Sequence, residues 1–336
     1  MPFWPKPMPI TNSKMGDLKH SEMTEYLLIT GASGFIGTFL IEKLLNETGF
    51  DLVVTGRNAD RILQVNHTRV HFVEMDLFHP GSFAEVFMNY HISAIFHLAA
   101  MARLSEGEND PIQSIRINYI ASVELVRLSI QHQVKTFVFT SSDLARHATS
   151  VVGMCKFLVE DAFRRIQNVN TQFFTIRLAN VIDSPGTVTL IFKSQIELGG
   201  PVTITDPRMS RRFITGSQAA EIIYSAYLFG RHNDLFVSTD KAINISHLAR
   251  QLMQQLGKTV PIKYIGAKPG ERLSEKGYSA QEVFPTSMSG LGKLRNILDN
   301  QEETIRIQNQ LLTKAKLHGD MEVIHILKGL FETPEA

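Results

Sequence analysis

Cysteine is almost missing from the 336-residue chain: Cys155 stands alone. An internal disulfide framework and a cysteine-rich zinc site are therefore excluded, and a reducing, cytoplasmic setting is expected. Charge of one sign is missing too. Lys and Arg number 34 against 33 Asp and Glu, a net charge of +1. No basic field argues for a nucleic-acid partner and no acidic run for a solvating tail. No apolar run reaches the ~18 residues of a membrane span. The twelve histidines show no HExxH-type spacing, so no metal site is expected. The first residues, MPFWPKPMPITNSKMGDLKHSE, are proline-rich, without periodicity and without the apolar stretch of a signal peptide. Residues 1–24 are read as a disordered arm.

What is present is a globular composition, 43% hydrophobic and 20% charged, long enough for one large domain or two unequal ones. From Tyr26 on, the apolar runs YLLIT, DLVVT, VHFVEM, AIFHLA, TFVFTS and TQFFTIR alternate with stretches of helical spacing. That alternation predicts βαβ units and a Rossmann-type, doubly wound parallel sheet, an α/β fold. Solid apolar runs fit strands buried on both faces. The nucleotide-binding domain is expected over residues 25–178. Residues 179–336 are expected to form a smaller substrate-binding cap and C-terminal helices, with some segments returning to the sheet. Within them, 179–215 reads as loops with short elements. Helices are expected near 218–229 and 245–256, a strand at 260–265, and a helical pair over 302–330 broken near 319–320.

Residues 30–37 read TGASGFIG, directly after a strand and opening a helix. In that context Gly31 permits the tight turn, Gly34 lets backbone approach a pyrophosphate, and Gly37 allows close helix–strand packing. The helix N-terminus offers free N–H groups to the anion. The pattern predicts a nicotinamide dinucleotide site. The second strand ends in Gly56 and Arg57, where an NAD site usually carries an acid. An arginine there suits a 2′-phosphate, which favours NADP over NAD; otherwise Arg57 is a solvated surface residue. Asp76 either meets the adenine ring or caps the next helix.

The blocks TGASGFIG, FHLAA (96–100), INY around Asn118, VFTSSDLA (138–145) and VVGMCK ending at Lys156 resemble the extended short-chain dehydrogenase/reductase superfamily. Together with residues 177–215, FVSTDKAINISHLARQL and KPGERL (268–273), they are similar to the polysaccharide-biosynthesis UDP-N-acetylglucosamine 4,6-dehydratases. The resemblance covers nearly the whole chain from Tyr26. It implies cofactor contacts from Gly31, Ser33, Gly34, Phe35, Ile36, Gly37, Arg57, Asp76, Leu77, Ala99, Ala100, Asn118 and Lys156. It also implies a UDP-sugar substrate and self-association, although no surface in the sequence identifies an interface.

In that family a hydride leaves sugar C4 for NADP, a base takes the C5 proton, an acid helps the C6 hydroxyl depart as water, and the hydride returns at C6. Lys156 matches the lysine on the nicotinamide ribose. Asp143 matches the acid at C6, and Ser142 the hydroxyl beside the C4 oxygen. Two positions depart from the pattern. Val152 stands where soluble members have a tyrosine, the C4 base, and Leu144 stands where a lysine takes the C5 proton. His147 is a replacement base by proximity, while Arg146 and Arg103 are candidates for electrostatic roles. On the substrate side the resemblance assigns Arg177, Asn180, Arg211 and Glu271, arginine suiting diphosphate through its planar fork.

His97 reads as a satisfied core histidine and Cys155 as core packing. Ser142 lacks a nucleophile elbow and hydrolase partners. Three readings stand together: a dehydratase with altered acid–base equipment, an epimerase or reductase on a related sugar nucleotide, and a catalytically impaired paralogue that binds NADP and a UDP-sugar. Val152 and Leu144 favour the last, and Asp143 with Lys156 favours the first two.

Overall fold

The computed structural model of the protein describes residues 24–57, 67–266, 273–274, 277–295 and 301–331. The expected N-terminal arm, apart from Thr24, and Glu271 lie outside them. Six parallel strands form most of the main sheet: β1 (Glu25–Thr30), β2 (Asp51–Gly56), β3 (Val70–Glu74), β4 (His91–His97), β5 (Thr136–Ser142) and β6 (Gln172–Leu178). Three short strands, β7 (Asn180–Val181), β8 (Val202–Ile204) and β9 (Ser210–Ile214), lie in smaller sheets with β11 (Ala242–Asn244) and β12 (Ile262–Tyr264). Between them in sequence, β10 (Leu235–Ser238) returns to the main sheet beside β6, and β14 (Leu291–Leu294) and β13 (Val283–Pro285) close that edge in antiparallel fashion. The nine-stranded order is β13-β14-β10-β6-β5-β4-β1-β2-β3. The chain therefore reverses direction across the sheet between β1 and β4, the switch point at which open parallel sheets bind ligands beyond their strand C-termini.

Leu27, Leu28 and Ile29 of β1 are all fully buried, because helices cover both faces. On one face α1 (Phe35–Glu47) and α8 (Gly216–Phe229) bury Leu40, Ile41 and Leu44 against Ala219, Ile222 and Ile223. The other face carries α2 (Phe83–Asn89), short helices α3 (Leu104–Asn109) and α4 (Pro111–Ile115), α5 (Ala121–Gln131) and α6 (Val151–Arg165). The helical pattern of 111–132 is one continuous stretch in which Arg116–Ile120 forms a π-helical turn between α4 and α5. Ser150 starts α6 by accepting the Gly153 N–H at 3.1 Å, and Arg164 and Arg165 sit in its last turn, so both ends are matched to the helix dipole.

The cap has its own apolar core, where Phe192 and Ile196 of α7 (Val188–Glu197) meet Leu248 and Leu252 of α9 (Ile245–Gln255) and Val202 and Ile204 of β8. Helix α7 lies inside the stretch expected to be mostly loop. Its apolar spacing is masked by the Gly, Pro and Thr on either side. The C-terminal pair forms as expected, α10 (Gln301–Leu317) and α11 (Met321–Phe331). Ile307, Leu311, Val323 and Leu327 pack it into the core beneath α4 and α6 rather than into the cap. Among the described residues no helix is long and apolar enough to cross a membrane.

Candidate active site

The glycine loop lies at the switch point, and each glycine has a distinct steric reason. Gly31 adopts φ +71°, and a Cβ there would stand 2.7 Å from the Ala99 backbone beyond β4. A Cβ on Gly37 would meet the carbonyl oxygens of Ala32 and Gly31 at 2.5 and 2.6 Å. Gly34 is exposed and starts α1 with no side-chain cap, so the first-turn N–H groups of Phe35, Ile36 and Gly37 have no acceptor within the helix. This cradle, with half-buried Ser33 on one side and Ala99 and Ala100 on the other, fits the diphosphate of a dinucleotide. Arg57 is exposed just beyond β2. Asp76 caps its own turn: Oδ1 accepts the Phe78 N–H at 3.0 Å and Oδ2 lies 3.2 Å from His79 Nδ1, beside half-buried Leu77.

Asn118, expected as a cofactor contact, is engaged by its own surroundings. It is 1% exposed. Its Oδ1 accepts the Met101 N–H at 2.8 Å, and its Nδ2 donates to Met101 O and Ser114 Oγ, both at 3.0 Å. Asn118 therefore shapes the site by holding the loop after β4. His97 is a satisfied core histidine, as its position implied, and its partners assign the tautomer. Ser122 Oγ gives its proton to Asn118 O (2.9 Å) and so accepts from His97 Nε2 (2.9 Å). Nδ1 then accepts from Thr30 Oγ1 (2.7 Å), which in turn accepts the Ala99 N–H (3.3 Å). One directional chain thus ties β1, β4 and α5 together beneath the cradle. Burial, with the Lys156 charge nearby, pushes the imidazole down to about 3 and keeps it neutral.

Lys156 is buried on α6, donates to Thr140 O at 2.9 Å and lies 4.5 Å from the Phe139 ring centroid. Burial is the main cause of its lowering to about 8, with Cys155 and Glu160 opposing. Cys155 is fully buried and its thiol is pushed up by burial, in keeping with a packing role. Ser142 caps the short turn Asp143–His147, accepting the Leu144 N–H. Asp143 is 7% exposed and ion-paired with Arg212 of β9, itself 1% exposed. Arg212 also donates to Ser238 O at the end of β10. Asp143 is thus an acceptor at the junction of sheet and cap, and the proton-donor role expected of it requires that this pair rearrange.

The two departures from the family pattern have physical surroundings. Val152 is 2% exposed under α3, and a Cβ on Gly107 would lie 2.6 Å from Val152 Cγ2. Glu108 of α3 also accepts the Val151 N–H at 2.7 Å. The room for a larger side chain at 152 is therefore occupied. Leu144 is half-buried. His147 does not replace it. It is exposed and lies near Glu303 of α10, whose carboxyl is held below the usual range mainly by Arg306 and in small part by His147. Arg103 is half exposed and pairs with Glu106 at 2.7 Å. Arg146 binds Gly277 O at 3.0 Å and Glu282 at 2.5 Å.

Arg177, expected on the substrate side, is engaged within the protein. It is 8% exposed and forked onto Glu160 of α6, Nε to Oε1 at 2.9 Å and Nη2 to Oε2 at 2.6 Å. Ser141 Oγ donates to the same carboxylate at 2.5 Å. A buried arginine with a bidentate partner is a structural ion pair, and it is sequestered from a substrate diphosphate. Asn180 is half-buried and donates to Arg212 O at 3.0 Å, joining β7 to β9. Arg211, half-buried on the opposite side of β9 from Arg212, donates to Ser210 O at 2.8 Å.

Three residues of this region escaped the sequence reading: Glu160, Arg212 and Tyr278. Glu160 was accessible in principle, four residues after Lys156 on the same buried face of α6. For Arg211 and Arg212 the strand alternation was legible, but not which of the two faces inward. Nothing local marks Tyr278, whose hydroxyl lies 3.3 Å from both Asp143 Oδ1 and Arg177 Nη1.

A glycine cradle at the β1/β4 switch point, a buried lysine on α6 and a cap over the strand C-termini define an extended short-chain dehydrogenase/reductase fold. Residues 27–290 match the family of polysaccharide biosynthesis proteins, and the chain belongs to that family. It is 29% identical over 274 residues to the capsular polysaccharide biosynthesis protein CapD of Staphylococcus aureus, with 77% of this chain and 46% of CapD covered, so it spans just under half of that relative's length. It is 26% identical over 269 residues to a UDP-glucose 4-epimerase of Rickettsia canadensis, covering 76% of this chain and 78% of that protein. The fold is also that of Pen from Bacillus thuringiensis, with a TM-score of 0.74, 25% identity, and 84% and 90% of the two chains covered.

Proposed function

We propose that this chain is an NADP-dependent enzyme that modifies a UDP-sugar for polysaccharide biosynthesis, of the 4,6-dehydratase type represented by UDP-N-acetylglucosamine. The observation that carries the reading is the glycine cradle joined by the His97 chain to the loop after β4, with Lys156 buried at the C-terminal edge of β5. NADP, when bound, would supply an acceptor for the hydride of sugar C4 and a donor for its return at C6. The chain's own residues bind and orient the reactants and supply the acid, while Val152 and Leu144 take up neither the C4-hydroxyl proton nor the C5 proton. The α1 N-terminus holds diphosphate, Arg57 meets the 2′-phosphate, Lys156 holds the nicotinamide ribose, and Ser142 bonds the C4 oxygen. Arg211 and Glu271 are assigned to the sugar-nucleotide end. Asp143 helps the C6 hydroxyl leave once its pair with Arg212 is rearranged.

A 4-epimerase is the second reading, and a specific observation favours it. Inversion at C4 needs no C5 base and no C6 acid, and here Leu144 replaces the base while Asp143 is engaged by Arg212. Incubation with NADP and a panel of UDP-sugars, followed by mass spectrometry for loss of water and NMR for configuration at C4, separates the outcomes. Loss of one water without net cofactor change is expected. An isomer of unchanged mass selects the epimerase. Tight binding of NADP and UDP-sugar with no product selects the impaired paralogue and rejects the proposal. Arg57→Ala is expected to weaken NADP by about tenfold, the order of a charge-assisted hydrogen bond, while leaving NAD unchanged. Equal losses for both dinucleotides would remove the NADP preference.

A further inference from the structure

Val152 removes the phenol that the family resemblance places on α6, and α3 closes the space. A different phenol reaches the same turn. Tyr278 lies in the segment between the cap and β13. Its hydroxyl donates to Asp143 Oδ1 and accepts from Arg177 Nη1, each at 3.3 Å. The Arg146 guanidinium lies 4.3 Å from its ring centroid and that of Arg212 lies 5.2 Å away. Arg146 ties the segment down through Gly277 O and Glu282, and Glu282 also accepts the Ser279 N–H at 2.8 Å. Three ion pairs, Arg146–Glu282, Arg177–Glu160 and Arg212–Asp143, therefore meet around one neutral ring. Burial is the largest influence on the phenol and raises its pKa, with Arg177 opposing, so it remains a donor near neutral pH.

Packing alone would be served by phenylalanine. A hydroxyl placed between a buried arginine and the carboxylate beside Ser142 has a directional task. We propose that Tyr278 is a positioning residue for Asp143: its O–H holds Oδ1, so that Asp143 keeps its place when the Arg212 pair opens and Oδ2 is free to carry the proton, and its ring seats segment 277–282 on the turn Asp143–His147. The 3.3 Å bonds are long for O–H···O, as catalytic hydrogen bonds often are before substrate tightens them. The catalytic half of this inference rests on the dehydratase reading, and the seating half does not.

Tyr278→Phe and Tyr278→Leu in the full chain separate the two. With NADP and UDP-N-acetylglucosamine, Tyr278→Phe is expected to lower kcat about tenfold, the size of a lost hydrogen bond to a charged group, with KM within about twofold of wild type. Amide hydrogen exchange of residues 143–147 and 277–282 needs no turnover. It should be unchanged in Tyr278→Phe and faster in Tyr278→Leu. Wild-type kcat in Tyr278→Phe overturns the positioning role, and unchanged exchange in Tyr278→Leu overturns the seating. If the wild-type protein converts no UDP-sugar, the dehydratase reading and the catalytic half fall together. Faster exchange in Tyr278→Leu then upholds the seating alone.

Discussion

Gly31 and Lys156 carry the sharpest consequences at the scale of single residues. Gly31→Ala puts a Cβ at φ +71° and 2.7 Å from Ala99, a strain of about 1 kcal/mol or more. The melting temperature should fall, and NADP affinity should fall further than stability alone explains; a variant that melts and binds like wild type would refute the steric reason given for this glycine. Lys156 should make the chain pH-sensitive in two opposite ways. Its folded value, about 8, lies below the ordinary 10.5. Between those values the unfolded state holds more protons, so the Lys156 contribution to stability rises with pH from about 8 and is complete above 10.5. On the proposed role of Lys156 at the nicotinamide ribose, which uses the ammonium as donor, dinucleotide affinity should fall as pH rises through about 8. Lys156→Met should abolish that dependence in a binding titration, and a titration that stays steep would assign it elsewhere. The glycines and Lys156 were legible because their chemistry is local to a strand–turn–helix unit. The destination of Arg177 was not, because whether an arginine meets a substrate or a buried Glu160 depends on what packs above it.

Ion pairs and packing between elements set the second scale. Arg177 of β6 and Glu160 of α6 are buried together. Arg177→Met leaves the Glu160 carboxylate with the Ser141 hydrogen bond and the more distant charge of Lys156, and should cost about 3–5 kcal/mol. Replacing both residues by methionine should cost less, and urea midpoints of the two variants read the difference directly. A double variant no better than the single would show that the pair contributes more than mutual neutralisation. Restoring the family's tyrosine at 152 is expected to fail for a related reason. Val152→Tyr drives a ring into Gly107 of α3 and should destabilise by about 1–3 kcal/mol without raising turnover above wild type. Among elements, the six parallel strands and the helices between them were legible from period and apolar runs. Helix α7 and the edge strands β13 and β14 were not, because short elements flanked by Gly, Pro and Thr owe their form to the cap core and to pairing with β10.

Across the whole molecule, cap and main sheet meet where Arg212 of the cap reaches Asp143 at the end of β5 and Ser238 O at the end of β10. The same junction receives Tyr278. Sheet, cap and returning segment therefore converge on the residue that the resemblance makes the acid. The C-terminal pair α10–α11 lies beyond the residues that match the family. It nevertheless reaches the start of α6: Lys314 pairs with Glu108 at 3.2 Å, and Glu108 accepts the Val151 N–H there. The most direct test of the account is to follow the hydrogen at sugar C4. UDP-N-acetylglucosamine deuterated at C4 is incubated with the protein and unlabelled NADP, and the products are read by mass spectrometry and NMR. The account predicts that deuterium leaves C4 and is found at C6 of a product that has lost one water. Deuterium that stays at C4 in unchanged substrate, while NADP and the UDP-sugar are bound, would contradict it.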